Sequence, residues 1–143
     1  MSIKESREIA RRFTEECWDK SDVQVLDHLM AAGFVDHDPA PGQDKGREGY
    51  KRVTAMYFSA FSDFRVRNED VIAEGDKAVL RWTASGRHTG LLMGIAPTGR
   101  QIRLRGIDVI RIAGGQIIER WGEFDVFGLL QQLGAVPASG SEP

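Results

Sequence analysis

The chain has 143 residues, a length that suits one domain with a core of its own. Its 28% charged and 41% hydrophobic residues match an ordinary water-soluble domain, so neither disorder nor a membrane class is indicated. A net charge of −2 gives no electrostatic footing for nucleic acid, and no apolar run approaches the length of a membrane span.

The opening stretch MSIKESREIARR is charged and lacks the apolar segment of a secretory signal. Ser2 and Glu5 stand at capping-box spacing. Behind them Ile9, Phe13 and Cys17, with Ala10 and Trp18 beside them, share one helical face. Cys17 is the sole cysteine, which rules out an internal disulfide; the expected compartment is the cytoplasm. Ser21 and Gln24 repeat the capping spacing before a short second helix carrying Val25, Leu26, Leu29 and Met30, with Gly33 as its stop. FVDHDPAPG then reads as a brief strand running into a proline loop. A third helix begins near Gly46, with Tyr50, Val53, Tyr57 and Phe61 at helical spacing.

From Phe64 the period changes. FRVRNEDVIAEGDKAVLRWTASGRH reads as two strands turning at EGD, and RQIRLRGIDVIRIAGGQIIERWGEF as two more turning at AGG. FGLLQQLG is a last short helix ending at Gly134, so residues 1–134 form one domain and 135–143, small and polar, a flexible tail. Helices first and an antiparallel sheet second predict an α+β fold with the helices on one face.

Side chains alternate faces along a strand. Ile102, Leu104, Asp108, Ile110 and Ile112 therefore share one face, and Arg103, Arg105, Ile107, Val109 and Arg111 the other. Leu80, Trp82, Ala84 and His88 lie together on the strand before. An apolar face holding one aspartate and one histidine predicts a pocket lining. The opposite face, arginine mixed with isoleucine and valine, predicts contact between subunits in a homodimer or homotetramer. The last strand has no clean phase; a bulge near Gly122 would mix its faces.

Two stretches, GRHTGLLMGIAPTGR and IRIAGGQIIERW…FDVFGLLQQLG, resemble the SnoaL-like polyketide cyclase family, and the resemblance covers nearly the whole chain. It implies the cone-shaped fold shared with nuclear transport factor and the cystatins, in which three helices close the concave side of a strongly bent, mainly antiparallel sheet. It also implies ring closure of an aromatic polyketide by intramolecular aldol condensation, with an acidic side chain moving protons and no metal or cofactor. Aligned without gaps, the family's catalytic aspartate falls on Gly122 and its partner histidine on Asp108. The acid is missing where the family has it and present where the family has histidine.

Asp108 is accordingly the first candidate for acid–base work, since desolvation on an apolar face raises a carboxyl pKa. The structural alternative is a buried aspartate bonded to an arginine or a backbone N–H. His88 is its expected partner across adjacent strands, or else a histidine bonded to the rim of the glycine-rich loop. Glu123 could replace the missing acid if the last strand bulges, and Asp125 either binds substrate or caps the last helix. His37, between Asp36 and Asp38, sits where such cones open. Adjacent strand residues point to opposite faces, so these three make a poor chelate, and a loop contact is expected. Tyr57 and Trp121 are expected to line the cavity, where a flat aromatic ligand would stack. No GxGxxG, no HExxH and no serine nucleophile pairing is present.

Two functions fit these residues. One is a cofactor-free cyclase or isomerase acting on a small hydrophobic or aromatic molecule, with hydroxylation-linked or epoxide-opening chemistry as variants on the same fold. Epoxide opening uses an arginine two residues before an aspartate on one strand, and here that residue is Gly106. The other is a binding protein without catalysis.

Overall fold

The computed structural model describes residues 2–137; most of the expected tail, residues 138–143, lies outside the described residues. Ser2 caps α1 (Ile3–Arg12) by accepting the Glu5 N–H at 3.1 Å. The helix continues beyond Arg12 as a wider π-helical segment over Phe13–Asp19, with Phe13, Thr14 and Cys17 buried. The second cap is Asp22 and not Ser21. Ser21 takes a left-handed turn (φ 53°), and the Asp22 carboxylate accepts from Gln24 ahead of a 3-10 turn and the short α2 (Leu26–Leu29).

Gly33 does not stop that helix. Strand β1 (Met30–Asp36) has already begun at Met30, drawn into parallel pairing with the last strand. After the proline loop comes α3 (Gly46–Ala60). Phe61 does not extend it, because Phe61 opens β2 (Phe61–Glu74) and pairs with His88 of β3 (Lys77–His88). Strands β4 (Gln101–Ala113) and β5 (Gln116–Phe124) and helix α4 (Val126–Gln132) complete the chain. The AGG turn reverses at Gly114 and Gly115, both in the left-handed region that glycine enters freely.

One five-stranded sheet has the order β1-β5-β4-β3-β2, antiparallel except for the β1–β5 pair. Bulges in β2 and β5 bend it. Leu80, Ile110 and Ile112, read as facing inward, are inward, and together with Ile117 they pack beneath Ile9, Phe13, Cys17 and Tyr50. A second cluster, around Phe61, Phe64, Ala84, Leu104 and Leu129, fills the other end. β4 runs past the end of β5, and α4 covers the exposed edge: the Gln132 amide both accepts from the Arg103 N–H and donates to its carbonyl, each at 2.7 Å. The glycine-rich loop after His88 is pinned where Gly90 lies on α3, since a Cβ there would stand 2.1 Å from the Ser59 carbonyl oxygen. Among the described residues, no helix is long and apolar enough to cross a membrane.

Candidate functional site

Between the concave face of the sheet and the helices lies a cavity of about 810 Å³. Its walls are mostly aromatic: Trp18 from the π-helical segment, Tyr50 and Tyr57 from α3, Phe64, Trp82 and Phe124 from the sheet. The π-helical segment holds Trp18 against Tyr57, Phe58 and Phe64, with ring centroids 5.4–6.5 Å apart. Such walls suit a flat, largely apolar molecule.

One part of the wall is charged. Arg120 of β5 lies between two aspartates from the neighbouring strands. Its Nε donates to Asp108 Oδ2 at 3.2 Å and its Nη2 to Asp108 Oδ1 at 3.3 Å. Its Nη1 donates to Asp36 Oδ1 at 2.9 Å and to the Asp38 carbonyl at 3.4 Å. The guanidinium also stands 5.7 Å from the centre of the Tyr50 ring. Asp36 is held further: Gln43 Nε2 donates to its Oδ2 and the Asp38 N–H to its Oδ1, both at 3.0 Å. Asp38 in turn accepts the Gly122 N–H at 2.8 Å.

Register explains this convergence. Asp36 pairs with Arg120 across β1–β5, and Asp108 pairs with Gly122 across β4–β5. The bulge in β5 sits at Ile118 and not near Gly122, because Ile112 pairs with Ile117 while Arg111 pairs with Glu119. The extra residue puts Ile117 and then Arg120, Gly122 and Phe124 on the inner face. Gly122 is then a requirement of the site. A Cβ on it would stand 2.2 Å from Asp108 Oδ1 and 2.6 Å from Arg120 Nη2. The two differences from the family are thus geometrically linked: with Asp108 and Arg120 placed as they are, a side chain opposite on β5 would have to displace them.

The electrostatics follow from burial. Desolvation pushes the Asp108 carboxyl above the ordinary carboxylate value; Arg120 and the Trp82 indole pull it down, and the Asp36 charge adds to the rise. Burial opposes the Arg120 charge, but the Asp108 and Asp36 carboxylates outweigh it, and its pKa is raised. Burial also raises Tyr50 and Tyr57, so both phenols stay protonated.

The other expected residues distribute as follows. Tyr57 lines the cavity. His88 does not reach Asp108, which corrects the expected pair. Leu80 is the residue opposite Asp108, and His88 lies eight residues further along β3, roughly 26 Å of strand. His88 is buried at the loop, its Nδ1 accepting the Thr98 N–H at 3.2 Å while its Nε2 has no partner among the described residues. His37 turns to the outer face, where it stacks on Trp121 at 4.6 Å and its Nε2 meets Glu119 Oε2 at 2.6 Å. Neither ring lines the cavity, so the expected wall position of Trp121 is also corrected; β5 turns it outward together with Glu119. Glu123 shares that outward phase and is exposed at the cavity rim, beside Ile107. Asp125 also borders the cavity, and its carboxylate caps α4 by accepting the Gly128 N–H at 2.9 Å. Sequence reasoning missed Asp36 and Arg120. The signal for Asp36 was its place two residues from buried Phe34 on one strand face; Arg120 was hidden by the bulge.

Comparison with known proteins places this geometry among relatives. Residues 8–133 match the family described as SnoaL-like polyketide cyclase. The chain is 30% identical over 117 residues to the aklanonic acid methyl ester cyclase DnrD of Streptomyces peucetius, spanning 79% of this chain and 78% of that one. It is 29% identical over 112 residues to DauD of Streptomyces sp. strain C5, a cyclase of the same description, spanning 77% of this chain and 67% of that one. Its fold matches TsrD from Streptomyces laurentii with a TM-score of 0.86 at 31% identity, over 95% of this chain and 99% of that one.

Proposed function

The chain belongs to the SnoaL-like polyketide cyclase family, and from that premise we propose that it closes or isomerises a ring on a small, flat, polyketide-like molecule without a cofactor, with Asp108 moving the proton. The observation that carries this reading is the position of Asp108: a buried carboxyl in the wall of an aromatic cavity, its pKa raised by burial and its contacts to Arg120 long.

The chemistry balances without an outside reagent. Ionised Asp108 takes a proton from carbon next to a substrate carbonyl. The enolate carbon attacks a second carbonyl in the same molecule, forming one C–C bond, and the new alkoxide receives the proton back from Asp108. A carboxyl whose pKa is raised by burial holds a proton more readily than a free aspartate, which suits the return half of that exchange. Arg120 has one Nη2 hydrogen with no acceptor among the described residues, and it lines the cavity, so it can polarise the carbonyl where negative charge develops. Arg120 replaces His88 as the partner of the acid. The lone, buried Cys17 fits a reducing compartment such as the cytoplasm.

The test starts from aklanonic acid methyl ester, the compound named for both curated relatives. The purified protein is expected to give a product of unchanged mass and altered absorbance. Asp108→Asn is expected to lower turnover by about 10²-fold or more, the usual share of an acid–base group. Full turnover in Asp108→Asn would sink the assignment of the acid. Saturable binding of the ester with no conversion would favour a binding protein.

A second reading has its own observation. Two aspartates share one arginine, an arrangement that can hold and activate a water for opening an epoxide; Arg120 supplies from β5 the arginine that Gly106 lacks. Trp82 lies over Gly106, where a Cβ would stand 2.4 Å from its ring, so no side chain fits there. Uptake of ¹⁸O from labelled water, with a gain of one water in mass, separates this reaction from ring closure.

A further inference from the structure

We infer that Asp36 is a positioning residue: by holding Arg120 it fixes where the guanidinium lies and keeps it from closing on Asp108. The inference rests on the acid–base reading above, and it assigns Asp36 no contact with substrate.

The contacts set the two aspartates apart. Both Asp36 oxygens are engaged, Oδ1 by Arg120 and the Asp38 N–H, Oδ2 by Gln43, and its side chain is 5% exposed. The Arg120 contact to Asp36 is 2.9 Å, whereas those to Asp108 are 3.2 and 3.3 Å. The guanidinium therefore lies nearer Asp36. The backbone adds to this, because β1 and β5 pair at Asp36 and Arg120 themselves. Among the described residues Asp108 is met by hydrogen bonds from Arg120 alone, whereas Asp36 is tied down by three separate groups and is well placed to hold a cation.

The groups facing Asp108 are few enough to work out the consequence. From β5 it meets Arg120, from β1 the Asp36 charge and from β3 the Trp82 indole, and from α3 the Tyr50 ring stands 5.7 Å from the Arg120 guanidinium. Gly122, opposite on β5, brings no charge. Of these, only Asp36 favours the protonated form by its charge. Neutralising Asp36 removes that influence and leaves Asp108 as the one carboxylate paired with Arg120 among the described residues. Both changes stabilise the ionised form, so the sign does not depend on how the pair rearranges.

The experiment is a ¹³C NMR titration of protein labelled at the aspartate carboxyl carbon, with the Asp108 signal assigned by its loss in Asp108→Asn. In Asp36→Asn that signal is expected to titrate about one pH unit lower or more, the usual effect of an opposite charge gaining full contact. Should Asp36→Asn fail to fold, Asp36→Ser, smaller and still able to accept from Arg120, carries the same expectation. A folded variant in which Asp108 titrates unchanged, or higher, overturns the inference. The titration needs no substrate, so it fails or succeeds independently of the ring-closure assay. Where turnover is measurable, the acid limb of the kcat profile is expected to move down with it. A merely structural role for Asp36 would lower kcat at every pH and leave the limb in place.

Discussion

Replacing Gly122 by alanine isolates the geometry on which the whole site depends. The added Cβ would stand 2.2 Å from Asp108 Oδ1, far inside contact distance, and the carboxylate is packed between Arg120 and the Trp82 indole. Overpacking of this kind costs about 1–3 kcal/mol, and alanine returns about 0.4–1 kcal/mol by stiffening the unfolded chain. A net loss of roughly 0–2.5 kcal/mol follows, and it is blurred by that offset. The double-mutant cycle removes the offset. In an Asp108→Ala background the obstructing oxygen is gone, and Gly122→Ala is expected to be neutral or stabilising. The coupling between the two positions is therefore about 1–3 kcal/mol, in the range of residues in direct contact. At about 2–4 °C per kcal/mol for a chain of this size, urea and thermal unfolding resolve it. An equal cost of Gly122→Ala in both backgrounds would refute the reasoning, and with it the account of why the family acid is absent at this position.

Two further outcomes follow from burial and exposure. Because the folded-state pKa of Asp108 lies above its unfolded value, its ionisation costs stability as pH rises from the unfolded value to the folded one. The melting temperature of Asp108→Asn minus that of the wild type is then expected to grow as pH rises above the ordinary aspartate value of about 4; a difference that is flat or shrinks with pH contradicts the rise. On the outer face Ile72, Val79, Val109 and Trp121 form one row across four strands, with Ile107 exposed beside it, so we propose that this face meets a second subunit. Light scattering at micromolar concentration is expected to give a dimer or tetramer for the wild type and a monomer for Val109→Glu, and a monomeric wild type counts against it.

The sheet was legible in the sequence where it is built from neighbours. Alternation along Leu80–His88 and Ile102–Ile112 placed Asp108 on the buried face, and the turns at EGD and AGG fixed two hairpins, because strand phase and turn chemistry are local. The failures are non-local. Nothing near Ala31 or Gly33 reveals that Met30 pairs with Ile117, more than eighty residues away, so the helix was read too long and β1 too short. The pairing of His88 with Asp108 failed for a related reason. Two residues may share the inner face of adjacent strands and still lie at opposite ends of them, and alternation gives the face without the register. The bulge at Ile118 hid Arg120 in the same way, by moving the inward phase one residue along.

That hidden arginine changes how the aspartate is understood. An isolated carboxyl on an apolar face would be driven neutral and fixed there by desolvation. A carboxyl in full contact with an arginine would be fixed ionised. Neither can both take and return a proton near neutrality. In the proposed role Asp108 lies between these limits because its cation is shared: Asp36 holds one end of Arg120 at 2.9 Å, and contacts of 3.2 and 3.3 Å are left for Asp108. Replacing such a buried charged cluster with apolar side chains of similar volume is often neutral or stabilising, so stability alone does not account for three charged side chains in an aromatic wall. The proton-transfer role proposed above would, and it would use all three: the acid, the cation that tempers it, and the second acid that keeps the cation from closing on the first.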